Sequence, residues 1–264
     1  MMYNIHIKTD FVFTAAVAAV VILLIIPLPA ILLDILIGLN LILVLLLFLI
    51  VLRTRKAMDF SSLPTALLIL SFFGLIINVS SARLIISKGA DFDGRIIRGV
   101  SSLAAAGSNG MADLIIRFVI FSVIIAVLAV VLTKKSIYIT EENARLTLDA
   151  QTGKQMAVEA ERNSGTITIK EFSIRRDDLQ QEVDFYSAMD GASKFVSGNV
   201  KVGFFIIIVN VLGGIITGVL FFDKTLNDAV RTFIFLSIGN GIVQMFPAIL
   251  LSAISGIIIS RNVK

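Results

Sequence analysis

Few side chains in this sequence could do chemistry, and its carboxylates are the first to weigh. Asp190 is followed directly by Gly191 and, four residues on, by Lys194. Asp-Gly at a helix end is a frequent turn signal, and an exposed i,i+4 pair adds only about 0.3–0.5 kcal/mol. The functional reading is a titrating carboxylate. The lysine favours its charged form and packing near a membrane favours its neutral form, so a modest rearrangement switches the charge. Other polar residues stand in apolar runs: Asp34 and Asn40, Asn78 and Arg83, Asp113 and Arg117, Asn210, and Asn240 with Gln244. Charges and amides in such places are costly and ask for a reason. Asp113 and Arg117 have i,i+4 pairing distance, and Arg83 is placed to snorkel to an interface. For Asp34, structural pairing and a functional role stay equally open.

Much chemistry is excluded outright. The chain has no cysteine and one histidine, His6. That removes disulfides, thiolate zinc sites, multi-histidine metal sites and a Ser-His-Asp triad. Neither HExxH nor G-x-S-x-G occurs. No enzyme activity, cofactor or metal is expected. The net charge is only +4 and no basic tract interleaves with aromatics, which argues against nucleic acid as a partner.

The elements that carry these residues are membrane helices. Hydrophobic residues make up 57% and charged residues 16%, against roughly 45–50% and about 25% in soluble domains. A mean hydropathy of +0.95 cannot be hidden in a soluble core of this size. Spanning needs about 20 apolar residues, and six segments qualify: about 11–26, 31–52, 63–86, 111–132, 202–220 and 232–259. Pro247 predicts a kink or a break in the sixth. The expected fold is an all-α polytopic membrane protein of about six transmembrane helices. Helices one to four fall in 1–133 and helices five and six in 202–264. Between them, residues 134–201 hold ten of the 23 basic and eleven of the 19 acidic residues, which predicts a small, mainly helical insert. Arg53, Arg55 and Lys56, Lys134 and Lys135, Lys194 and Lys201, and Arg261 and Lys264 all fall on one side if the N-terminus is inside. Both termini and the insert are then cytoplasmic.

Local signals add detail. Thr168 and Glu171 have capping-box spacing, and Phe172, Leu179, Val183 and Tyr186 follow at helical spacing. The pattern predicts an amphipathic helix over about 169–189, closed by Asp190-Gly191. Gly214 and Gly218 form a GxxxG preceded by Gly213, and Ser252 and Gly256 repeat the small-residue spacing. These predict close helix packing, within the chain or between copies. Gly239-Asn240-Gly241 reads as a packed glycine pair more readily than as a helix opening. No internal repeat is visible, which weakens an inverted-repeat transporter.

In order along the chain these motifs resemble a known family. Pro27-Leu28-Pro29 with Leu32-Leu33-Asp34 and Asn40 is similar to its opening hairpin. Asp59-Phe60-Ser61-Ser62, Pro64-Thr65 and Asn78-Val79-Ser80-Ser81-Ala82-Arg83 are similar to its third segment. Ala144-Arg145, Thr147-Leu148-Asp149 and Gly153-Lys154-Gln155-Met156 resemble the start of its cytoplasmic loop. The most specific stretch runs from Asp184-Phe185-Tyr186 through Asp190-Gly191-Ala192-Ser193-Lys194-Phe195-Val196. Asn210, Gly213-Gly214, Gly239-Asn240-Gly241, Gln244 and Pro247 keep the register to the end. The family is the type III secretion export-gate family, FHIPEP, and the wording is closer to its flagellar branch than to the virulence branch.

The resemblance implies a bacterial inner-membrane protein that assembles as a homo-oligomeric ring with other export-apparatus membrane proteins. It implies coupling of the proton-motive force to export of flagellar proteins. It marks Asp190 as the first proton-coupling candidate, with Asp34, Lys194 and Asp149 beside it. Members usually carry an arginine at the position of Gly74 and an aspartate at that of Asn240. They also usually continue into two more membrane segments and a large cytoplasmic domain. A chain ending at Lys264 is therefore expected to be a fragment, one piece of a split gene, or a degenerate relative. The competing readings are a small proton-coupled secondary transporter, with Asp34, Asn78 and Asn210 lining a midplane site, and a non-exporting membrane scaffold.

Overall fold

The computed structural model describes residues 28–54, 57–107 and 110–260. Among them the regular structure is helical and no strand occurs. The helices are α1 (Ala30–Arg53), α2 (Leu63–Lys88), α3 (Arg95–Ala104), α4 (Met111–Asn163), α5 (Ile169–Leu220) and α6 (Leu226–Ser260). Short 3-10 turns cover Ala57–Phe60 and Gly89–Asp91. Five helices are long and apolar enough to cross a membrane, namely all but α3. The expected segment at 11–26 lies outside the described residues, as do Arg55, Lys56, Arg261 and Lys264.

Two boundaries differ from expectation. The helix beginning at Ile169 does not stop at Asp190-Gly191 but runs to Leu220. Gly191 does not adopt the left-handed backbone that a terminating glycine needs. The helix beginning at Met111 likewise runs on to Asn163. Residues 134–201 are therefore the continuations of α4 and α5 with the turn between them. Of the kink or break expected at Pro247, the break does not occur: α6 stays helical through it. Pro64, in the first turn of α2, occupies a place where a missing N–H costs nothing.

The chain packs as two compact units. The first comprises residues up to Leu41 with Phe72–Ile124 and Val202–Phe246. Its core joins Leu33 and Ile37 of α1, Ile77 and Ile85 of α2, Ile97 of α3 and Phe233 and Leu236 of α6, around Phe92. The second comprises Ile42–Ser71, Ile125–Lys201 and the residues from Pro247 onward. Its core joins Val44 and Val51 of α1, Leu63 and Leu67 of α2, Phe185, Met189 and Val196 of α5, and Leu251, Ile254 and Ile258 of α6.

Burial follows polarity in the sense a bilayer imposes. The apolar span of α4 is 11% buried, whereas that of α6 is 56% buried. Lipid is as apolar as leucine, so helices gain by turning polar and small residues towards each other. α6 carries buried Ser237, Asn240, Gln244, Ser252 and Ser255. α4 instead exposes Ile116, Val119, Ile120 and Val123.

Within the first unit, the GxxxG of α5 packs on α6. A Cβ on Gly214 would overlap the Phe233 ring, and one on Gly218 would lie 2.9 Å from it and 3.0 Å from the Ala229 Cβ. Gly213 faces α2 instead, where a Cβ would meet Ile86 at an ordinary 3.6 Å. Phe233 is fully buried and has nowhere to go. Gly214→Ala should therefore destabilise the protein by about 1–3 kcal/mol, whereas Gly213→Ala should change little. Thermal unfolding of both variants in one detergent checks this, and equal melting temperatures would refute the clamp.

Candidate functional site

The charged stretch forms an antiparallel helical hairpin within the second unit. α4 ends in a Schellman motif: the Gly165 N–H donates to Arg162 O and the Thr166 N–H to Glu161 O, both at 3.0 Å. Gly165 supplies the left-handed residue, with φ +73°. α5 then opens with a capping box. The Thr168 N–H donates to Glu171 Oε2 at 2.8 Å, and the Glu171 N–H donates to Thr168 Oγ1 at 3.2 Å. Arg175 pairs with Glu161, and Lys154 with Glu182 at 2.7 Å. The first partners are 14 residues apart and the second 28. Both pairs are thus centred on residue 168 and lie one heptad apart, the repeat that keeps two antiparallel helices in register. The Arg162 guanidinium sits 4.8 Å from the Phe172 ring centroid and closes the tip.

Further along α5 come Asp190 and Lys194. The Lys194 ammonium donates to Asp190 Oδ2 at 2.8 Å. The Asp190 side chain is 26% exposed. Its other oxygen, Oδ1, is buried and has no partner among the described residues. Met189, Tyr186 and Phe185 beside it are buried in the core of the second unit, the two rings edge to face at 5.6 Å. The hydrogen bond to Asp190, then its charge, and also Glu141 on α4, hold the Lys194 pKa above its ordinary value. A raised lysine contributes stability below its unfolded-state value and loses it only as pH rises through the higher folded value. Lys194 is therefore charged throughout the neutral range. Asp149 is not part of this arrangement: it lies 3.8 Å from Arg145 and both are exposed.

The remaining polar candidates lie in the first unit. Asp34 accepts hydrogen bonds from the backbone N–H groups of Arg95 at 2.8 Å and Ile96 at 3.1 Å. It caps α3, whose own N-cap residue is Gly94 and has no side chain to do so. Asn240 Oδ1 accepts from Ser81 Oγ at 2.7 Å, and Ser81 also reaches Asn78 O at 2.8 Å. A hydroxyl has one proton, so the two acceptors share it. Gln244 Nε2 approaches the same hydroxyl at 3.5 Å. Among the described residues, Asn210 is fully buried with both side-chain polar atoms unpartnered, and Asn40, Asn78, Ser80, Ser101, Ser237 and Asn240 each keep one orphan atom. Arg83 lies on the exposed side of α2. Arg117 pairs with Asp113 at 3.2 Å.

Gly239-Asn240-Gly241 is the most closely packed point of this seam. A Cβ on Gly239 would overlap Ser101 Oγ and Ile97 O of α3. One on Gly241 would lie 3.0 Å from Phe121 of α4 and 3.1 Å from Ile207 of α5. Between them Asn240 reaches α2. Sequence reasoning missed Ser81, Glu141, Gly165 and the Lys154–Glu182 pair. The heptad spacing of opposite charges about residue 168 was the available signal for the last.

The hairpin tip yields a test. The Thr168 backbone N–H, and then its hydroxyl, hold the Glu171 pKa below its ordinary 4.5. A depressed carboxylate contributes stability above its unfolded-state value and loses it as pH falls through the lower folded value. Amide protection in the first turn of α5 should therefore persist at pH 4.5 and decline below it. Thr168→Ala should lower that protection about fivefold even at pH 7. Hydrogen exchange measured across pH decides, and indifference to both changes would refute the capping box.

Comparison with known proteins places this arrangement. The FHIPEP family model matches residues 20–264. Flagellar biosynthesis protein FlhA of Borreliella burgdorferi is 45% identical over 257 residues, covering 97% of this chain and 37% of that protein. The protein of the same name from Treponema pallidum is 46% identical over 254 residues, 96% of this chain and 36% of its own length. That of Bacillus subtilis is 37% identical over 252 residues, again 96% and 36%. The chain thus spans little more than a third of the length of these relatives. No solved structure matches. With its membrane helices and its charged hairpin all inside the matched region, this chain belongs to the FHIPEP family.

Proposed function

We propose that this chain is a membrane component of a flagellar type III protein export apparatus, part of a gate that couples proton entry to export of flagellar subunits. The observation that carries the reading is 45% identity along 97% of the chain to a protein named for flagellar biosynthesis. On this reading the protein resides in the inner membrane with both termini and the hairpin in the cytoplasm. It assembles as a ring with copies of itself and other apparatus proteins, and performs no covalent chemistry. Asp190, with its orphan oxygen and its lysine, is the proton-responsive group. Asparagines and serines do not titrate near neutral pH, so the seam in the first unit would serve a proton only through water bound at its orphan atoms. The transporter alternative needs Asp34 at a midplane site, and Asp34 is already engaged in capping α3.

Two experiments test the proposal. A chimera carrying residues 1–264 in a full-length gate should lose export with Asp190→Asn while protein level and ring assembly stay normal. Normal export by that variant would overturn the proton role. For orientation, a periplasm-active reporter should be silent after Lys154 and active after Asp91; the reverse pattern would overturn it.

A further inference from the structure

A cavity of about 430 Å³ opens in the first unit where α2 ends and α4 and α6 begin. Arg98, Ser102, Arg231 and Thr232 line it above Leu114 and Phe235, and no carboxylate does. Arg98 is held in place, since its guanidinium donates to the carbonyls of Phe92 and Ala90. A guanidinium carries five N–H donors, so three remain. Asp93 is near enough to feel Arg98, but its ion pair is with Lys88 at 2.8 Å. Arg231 is exposed and makes no ion pair among the described residues. Both arginines line one cavity, and neither is in an ion pair among the described residues.

We infer that this cavity binds the headgroup of an anionic phospholipid, with Arg98 and Arg231 on the phosphate and the Thr232 hydroxyl on an ester oxygen, while Ser102, whose hydroxyl donates to Gly99 O at 2.7 Å, lines the wall. Guanidinium forks match phosphate oxygens in geometry as well as charge. The location favours lipid over free phosphate. The cavity sits at the ends of three membrane-spanning helices, which is the depth of headgroups. Beside Leu114, α4 exposes Ile115, Ile116 and Val119, an apolar surface on which acyl chains can lie. At the end of α3, Leu103 is 78% exposed and widens that surface. The apolar floor gives a free phosphate nothing.

The test uses the purified chain in neutral detergent, with native mass spectrometry against phosphatidylglycerol, phosphatidylcholine and inorganic phosphate. One phosphatidylglycerol should be retained in preference to phosphatidylcholine, and millimolar phosphate should not displace it. Arg231→Gln should weaken binding at least tenfold. Ser102→Leu, which fills the cavity without changing charge, should weaken it as well. Lys170→Gln at the hairpin tip should have no effect. Wild-type affinity in either cavity variant, or no preference for the anionic lipid, overturns the inference. Displacement by phosphate overturns it in favour of a free-anion site.

Discussion

The first unit depends on one helix meeting several others at a single level, at Gly239-Asn240-Gly241. Successive helical residues point about 100° apart, so three in a row face three directions. Gly239 lies against the backbone of α3, Asn240 bonds to α2, and Gly241 lies under side chains of α4 and α5. In lipid no hydrophobic force draws helices together, so association rests on close van der Waals contact and hydrogen bonds. Two glycines permit the first and one amide supplies the second. This is why α6 is the most buried span although it is far from the most apolar.

The polar residues of the two units are treated differently. In the second unit Asn199 bonds to Ser71 through its carbonyl at 2.9 Å and its hydroxyl at 3.1 Å, and Ser193 bonds to Ser255. These act as glue between helices. Among the described residues most of the buried amides and hydroxyls that keep an orphan atom lie in the first unit, Ser237 and Asn240 of α6 with them, while Gln151 and Asp190 are the cases in the second. Each unsatisfied group costs about 1–3 kcal/mol, which packing alone would select against.

What was legible in the sequence follows how far each signal reaches. The membrane helices could be read because their apolar runs are long, and the Thr168–Glu171 cap because both partners sit within one turn. Gly214 could be read because its spacing with Gly218 names a face, although only the structure supplies Phe233 as the neighbour. Asp34 could not be resolved, because the helix end it caps lies 61 residues away. Gly191 misled for a physical reason. A glycine ends a helix only where the chain takes a left-handed turn, as at Gly165, and sequence alone does not distinguish the two.

The glycines of α5 differ in a second way, in what lies against them. Gly214 and Gly218 are pressed against α6, so this end of the helix cannot roll without displacing Phe233. Gly191 and Gly198 have nothing within 4 Å of where a Cβ would stand. Each glycine within a helix lowers its local stability by about 0.5–1 kcal/mol. The stretch that carries Gly191 and Gly198 is packed all the same: Met189, Ala192 and Val196 lie in the core of the second unit, and Ser193 bonds to Ser255 of α6. α5 is therefore held in both units, by a ring against glycine in the first and by its own buried side chains in the second.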